Sequence, residues 1–356
     1  MTKKEHERIA VLGAGSWGAT LAGLLAQKGH DVALWEFSPA AAAALGNSRH
    51  LSFLPDLNLP DSVCVTSDLV TALKDRPIIV SATPSHFVRA TMAAARKSGA
   101  IDSKAVIVSV AKGLEEKSLK RMSEVISEEL EIPEKRVTAL TGPSHAEEVC
   151  RRMPTATVIA GTDKKTVARV RALFEDDFFR VYPHHDLIGA ELAGSLKNIF
   201  AIICGIADGL GLGDNSRAAI LTRGLNEMTR IGVRLGGDPL TFFGLAGMGD
   251  LIVTCLSRHS RNRSLGEKIG RGKTAVEALA EMTMVAEGMK TAPSAYELSR
   301  RLKLDCPLTR EIYEILYNGK NPKASMQDLM TRETQSEWQG LPTGWNKLSQ
   351  KMRRRR

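Results

Sequence analysis

Between Arg8 and Glu36 the chain spells a strand, a glycine turn, a helix and a second strand in about thirty residues. Arg8-Ile-Ala-Val-Leu12 is a short apolar strand. Gly13-Ala-Gly15-Ser-Trp-Gly18 follows, then an apolar helix pattern from Ala19 to Gln27, then the strand Asp31-Val-Ala-Leu-Trp-Glu36. A lone G-x-G-x-x-G is weak, but in this setting each glycine has a task. Gly13 permits the tight turn, Gly15 lets the backbone approach a pyrophosphate, and Gly18 lets the helix lie close to the strand. The helix N-terminus, with its free N–H groups, suits the phosphate charge. The unit predicts a Rossmann-like domain that binds a dinucleotide.

The end of the second strand chooses between NAD and NADP. An acidic residue there binds ribose hydroxyls, whereas a nearby arginine accepts a 2′-phosphate. The chain offers Glu36, Phe37 and Ser38, with Arg49 the next basic residue, and so leans toward NAD; Phe37 is also placed to stack on adenine.

Further strands are expected at Pro77–Pro84, Ala105–Ala111, Val137–Leu140, Thr155–Ala160 and Phe179–Tyr182. Ligands of open α/β sheets sit off the carboxyl ends of strands. Lys112, straight after one apolar run, is therefore placed to meet an anion. Gly142 and Ser144, in Thr141-Gly-Pro-Ser-His-Ala146, can offer donors, and Ala146 opens the next helix. His184-His185-Asp186 has no second cluster at ligand spacing, so no metal is expected.

From Asp186 onward the pattern turns helical, with helices expected at Glu191–Gly211, Ser216–Leu235, Leu251–Cys255, Thr274–Glu281, Lys290–Leu302 and Arg310–Tyr317. The architecture predicted is an α/β Rossmann-like cofactor domain over residues 1–190, an all-α domain over 191–330, and a loose basic tail over 331–356.

Glu191–Gly211 reads as one buried helix, interrupted by Lys197 with Asn198 beside it. A lysine in an apolar setting loses hydration, which lowers its pKa toward neutrality and lets it trade protons. Gly194, Ala193 and Ala201 share its face and are expected to leave room for a substrate. Asp250 follows the glycine-dense stretch Phe243–Gly249; it can cap the next helix, or orient Lys197 or a hydroxyl near it. Ser257-Arg-His-Ser-Arg-Asn-Arg263 concentrates groups that suit a phosphate.

The net charge of +9 leans on the tail, since KMRRRR carries five positive charges. The mild excess elsewhere fits phosphorylated ligands. Aromatic residues make up 5% and no basic stretch interleaves with them, which argues against nucleic acid. Five scattered cysteines without a C-x-x-C pair read as reduced core thiols in a cytoplasmic protein. No signal peptide or integral membrane segment is expected.

GAGSWG, VSVAKGLE, LTGPSHAEEV, ELAGSLKNI, GLAGMGDLIVTC and SRNRSLG, in this order, resemble the bacterial type of NAD(P)-dependent glycerol-3-phosphate dehydrogenase, over about Ile9–Met330. The resemblance implies a cytoplasmic homodimer with a helical domain like that of 6-phosphogluconate dehydrogenase. It implies interconversion of dihydroxyacetone phosphate and sn-glycerol 3-phosphate for phospholipid synthesis, with NAD or NADP and no metal. Lys197 is implied as proton donor and acceptor, with Asp250 beside it. Lys112, Gly142, Ser144, Asn198, Asp250, Ser260, Arg261 and Asn262 are implied substrate contacts. Ser16, Trp17, Lys112, Ala146, Arg261, Val285 and Glu287 are implied cofactor contacts, added to Gly13, Gly15, Gly18, Glu36 and Phe37. Phe37 stands where many bacterial members carry arginine. The rival readings are a hydroxyacid or 6-phosphogluconate-type dehydrogenase and a non-catalytic dinucleotide sensor.

Overall fold

The computed structural model describes residues 6–282, 285–333 and 336–337. Eight strands form one sheet: β1 (Arg8–Leu12), β2 (Asp31–Trp35), β3 (Cys64–Thr66), β4 (Ile78–Ser81), β5 (Val106–Ser109), β6 (Val137–Thr141), β7 (Thr155–Gly161) and β8 (Phe179–His184). Their order is β3-β2-β1-β4-β5-β6-β7-β8. The first six are parallel. β7 turns back antiparallel to β6, setting Thr141 opposite Val158 and Thr138 opposite Gly161, and β8 runs parallel to β7.

Alternation along β1 explains the layering. Ile9 and Val11 face one side with Leu21, Leu25, Val167 and Val170. Ala10 and Leu12 face the other with Met92, Val125 and Ile126. Helices cover both faces, so β4 and β5 are buried throughout, as continuous apolar runs require. β3 was not anticipated; three residues at the sheet edge are too few to show a period.

Beyond the sheet the described residues are helical. Leu187–Gly209 forms the axis. It begins four residues before the expected Glu191, because Asp186 caps it by accepting from Gly189 N at 2.8 Å. Asp186 also accepts from Asp238 N and the Thr241 hydroxyl, and His184 Nδ1 accepts from Asp186 N. That His-His-Asp run is thus a helix start. Its neighbour Glu191, buried, accepts from Ser123 N and Arg121 and ties the axis to the sheet half. By length and composition the axial helix could cross a membrane, with mean hydropathy 1.5, but 89% of that window is buried inside the protein.

Against this axis lie Asp214–Arg234, Asp250–Leu256, Arg261–Gly270, Glu287–Arg301 and Pro307–Asn318. The helices Arg261–Gly270 and Pro322–Thr331 were not foreseen, the first having been read only as a polar cluster. Arg261–Gly270 lies alongside the axis backbone to backbone. A Cβ on Gly205 would run into the Arg263 carbonyl, and one on Gly266 into the Ile202 carbonyl; Gly209 and Gly270 repeat the contact a turn later. The cysteines are unpaired; Cys204, Cys255 and Cys306 are buried as expected, whereas Cys64 is exposed and Cys150 half-buried. Most of the basic tail lies outside the described residues.

Candidate active site

A cavity of about 650 Å³ opens at the carboxyl ends of β1, β4, β5 and β6 and is closed by the axial helix. At one end the β1 turn behaves as its glycines demand. Gly13 adopts φ +113°, and a Cβ there would meet the Ala82 backbone. Gly18 lies against the Gly13 carbonyl, while nothing lies within 4 Å of a Cβ on Gly15. The helix Ser16–Gln27 has no side-chain cap and no acid in its first turn, which leaves its positive end to a ligand. Ser16 Oγ, Trp17 Nε1 and Thr83 Oγ1 are buried around this turn without hydrogen-bond partners. Open space at Gly15, an uncapped helix and orphaned donors fit a dinucleotide's pyrophosphate.

Glu36 and Phe37 line the same end. The Glu36 carboxylate accepts from Ser38 N at 3.1 Å, and Phe37 is 82% exposed, edge-on to Trp35. Arg49 is held elsewhere, donating to the Val63 carbonyl at 2.8 Å.

At the other end three ionisable groups meet. Lys197 is 5% exposed and Asp250 1%. Lys197 Nζ donates to Asp250 Oδ1 and, at 2.7 Å, to Thr254 Oγ1. Thr254 turns its own proton back to the Asp250 carbonyl at 2.6 Å, leaving a lone pair for the ammonium. Lys112 Nζ donates to Asp250 Oδ2 at 2.8 Å and to the Gly142 carbonyl at 3.1 Å. Burial lowers the Lys197 pKa to about 8; Asp250 opposes the fall and Lys112 adds to it. Burial works to raise Asp250, but Lys112 and Lys197 outweigh it and hold the carboxyl below its usual range. Two cations share one anion, so the cluster keeps one positive charge facing the cavity.

One open alternative is decided here and one expectation is corrected. Asp250 does not cap its helix: Gly249 holds that position and the carboxylate serves the lysines. The small residues near Lys197 do not open space for a substrate on their own: a Cβ on Gly194 would meet Thr141 Oγ1 and Lys112.

Asn198, Ser260, Arg261 and Asn262 line the wall next to Lys197. Ser260 caps its helix by accepting from Arg263 N at 3.2 Å. Arg261 is exposed at the mouth, whereas Arg263 turns away to pair with Asp208 at 2.6 Å. Ser144, Ala146, Val285 and Glu287 complete the wall. Gly18 and Gly142 stand behind it: Gly142 accepts from Lys112 and from the Ser144 hydroxyl. Sequence reasoning missed Thr254, His145 and His259. Thr254 lies four residues after Asp250, one helical turn, a spacing that would have found it. The rings of His145 and His259 lie 6.0 Å apart on the wall.

A doubly covered, mostly parallel sheet, a phosphate-ready glycine turn and a depressed-pKa lysine across one cavity define a dinucleotide-dependent oxidoreductase. Two family models match: the N-terminal part of NAD-dependent glycerol-3-phosphate dehydrogenase over residues 8–167, and the C-terminal part over residues 186–327. The chain belongs to the NAD-dependent glycerol-3-phosphate dehydrogenase family. It is 49% identical over 332 residues to the glycerol-3-phosphate dehydrogenase [NAD(P)+] of Chlorobium phaeobacteroides, covering 93% of this chain and 99% of that one. It is 48% identical over 334 residues to the protein of that name from a Thermoanaerobacter species, covering 94% and 100%. Among solved structures, glycerol-3-phosphate dehydrogenase from Coxiella burnetii superposes with a TM-score of 0.85 at 36% identity, covering 92% of this chain and 99% of that one.

Proposed function

We propose that this protein interconverts dihydroxyacetone phosphate and sn-glycerol 3-phosphate, with residues 1–190 holding the dinucleotide and 191–330 completing the substrate site. The observation that carries this reading is the Lys112–Asp250–Lys197 cluster, with Asp250 and Lys197 buried, facing the cavity at the carboxyl edge of the sheet. Gly13, Gly15, Ser16 and Trp17 at the β1 turn would hold the dinucleotide, which would supply or take up the hydride at C2. Lys197 donates a proton to the oxygen at C2 during reduction and removes it during oxidation, and its charge stabilises the developing alkoxide. Asp250 holds both ammonium groups in place. Ser260, Arg261 and the backbone of Asn262, at the start of their helix, anchor the phosphate, so binding remote from C2 fixes the reacting carbon. The family resemblance supports a cytoplasmic homodimer that feeds glycerophospholipid synthesis.

The Lys197 pKa of about 8 gives the pH dependence a sign. Reduction needs the ammonium form, so its kcat falls as pH rises through about 8. Oxidation needs the free amine, so its kcat rises over the same interval. Profiles of kcat in both directions check this; two curves bending the same way would contradict the assignment.

The cofactor choice follows from Glu36. Among the described residues, the lysines and arginine in the cavity wall are Lys112, Lys197 and Arg261, all at the reacting end. A 2′-phosphate beside Glu36 meets a carboxylate instead of a cation. With dihydroxyacetone phosphate, kcat/KM is expected to favour NADH over NADPH by about tenfold, roughly 1.4 kcal/mol. Parallel assays with the two cofactors decide it. A preference for NADPH overturns the Glu36 argument. Folded protein that binds NADH yet gives no turnover overturns the substrate.

A further inference from the structure

Three hydrogen bonds, two of them fully buried, link four separate segments beside the cavity. Gly288 N donates to Asn262 Oδ1 at 2.9 Å. Asn262 Nδ2 donates to Asn198 Oδ1 at 3.1 Å. Asn198 Nδ2 donates to the Lys112 carbonyl at 3.1 Å. The direction of this chain is set at both ends by the backbone. An N–H can only donate, so Asn262 must turn its oxygen to Gly288. A carbonyl can only accept, so Asn198 must turn its nitrogen to Lys112. The remaining oxygen and nitrogen then meet each other, and neither amide can be flipped without setting like against like.

The chain also supplies a missing cap. The helix Glu287–Arg301 starts from Ala286, which has no side chain to accept from its first turn. Asn262 provides that acceptor from a different helix. Gly288 is glycine because there is no room for more: a Cβ would press on Ile202, the Asn198 carbonyl and Asn262 Oδ1. Asn198 and Asn262 are both more than nine-tenths buried. Their partners continue the register of the neighbouring backbones, in which Gly266 meets Ile202 and Gly270 meets Ile206.

We propose that Asn198 and Asn262 are positioning residues that couple the cofactor and substrate sites, by tying the turn that carries Glu287 to the phosphate-facing helix and to the backbone of Lys112. This rests on the dehydrogenase reading above. Val285 and Glu287 line the cavity, and a dinucleotide held there would settle the turn capped by Asn262. A phosphate at Ser260–Asn262 settles the same turn from its other side. Whichever ligand arrives first bears the ordering cost, so the second binds more tightly, and by linkage the effect is mutual.

The test uses NADH with sn-glycerol 3-phosphate, a pair that cannot react. The dissociation constant of NADH is measured by its fluorescence with and without the phosphate. In the unaltered protein the phosphate should tighten NADH by about fivefold or more. In Asn198→Leu the ratio should collapse to about one. In Asn262→Asp the new carboxylate still accepts from Gly288 but cannot donate to Asn198, so the ratio should also collapse at about pH 8. On acidification that buried carboxyl gains a proton and can donate again, so the coupling should return as the pH falls. A void or a loosened fold has no reason to heal with acid. Unchanged coupling in folded variants, or its absence from the unaltered protein, overturns the proposal. Failure of the unaltered protein to bind NADH or to reduce dihydroxyacetone phosphate would instead remove the dehydrogenase reading itself.

Discussion

Lys197→Ala is expected to lower turnover by about 10³-fold or more in both directions, the scale of a lost general acid–base group together with the charge that stabilises the alkoxide. NADH affinity should change little, because the glycine turn lies at the other end of the cavity. The fold should survive, since Asp250 keeps Lys112 as a partner and is not stranded as a buried unpaired charge. Lys197→Met, which keeps the volume, separates lost chemistry from lost packing. Steady-state rates and NADH titration read the outcome. Near-normal turnover in either variant would remove Lys197 from the reaction.

Gly266→Ala is expected to destabilise the protein by about 2–3 kcal/mol, although it adds one methyl group. The new Cβ would enter the Ile202 carbonyl, which is backbone of the axial helix and cannot swing aside. Relief requires the two helices to part. That moves Arg261 and Asn262 relative to Asn198, so the Michaelis constant for dihydroxyacetone phosphate should rise with the loss of stability. Gly272→Ala serves as the control: it lies just past the helix with nothing within 4 Å of a Cβ, and its cost is confined to the strain of φ +106°. Chemical denaturation of both variants checks the difference. Equal stability for Gly266→Ala and the unaltered protein would mean that the helix contact gives way easily.

Much of this was legible in the sequence because it depends on local spacing. The β1 turn, the fully buried strands and the change to helices all leave periodic or glycine-based marks. So does Lys197, a single charge inside an apolar helix. The function of Gly194 was misread, and the second lysine on Asp250 went unforeseen, because both depend on what lies across from them. Gly194 makes room for Thr141 and Lys112, and Asp250 meets two lysines from distant parts of the chain. The inward turn of Asn262 was hidden for the same reason. The helix it begins was legible in principle: Gly205 and Gly209 on one helix, Gly266 and Gly270 on the other, stand four residues apart and mark a close crossing. Cysteine exposure was misjudged at Cys64 because its strand sits at the sheet edge.

The reversal of the last two strands sets a measured length. Because β7 and β8 run against the others, the chain leaves the sheet at the edge away from the cavity. The axial helix starts beside Ala139 and Ala160 and must climb back past Thr141 before it reaches the cavity. From Leu187 to Lys197 that climb is about 15 Å, nearly three turns. The helix therefore works as a ruler, and the reacting nitrogen is its mark. One residue inserted between Asp186 and Lys197 would swing that nitrogen by about 100° and lift it by about 1.5 Å. A loop of equal length would absorb the insertion. The count of residues from the foot of the sheet to Lys197 is therefore fixed by helix geometry.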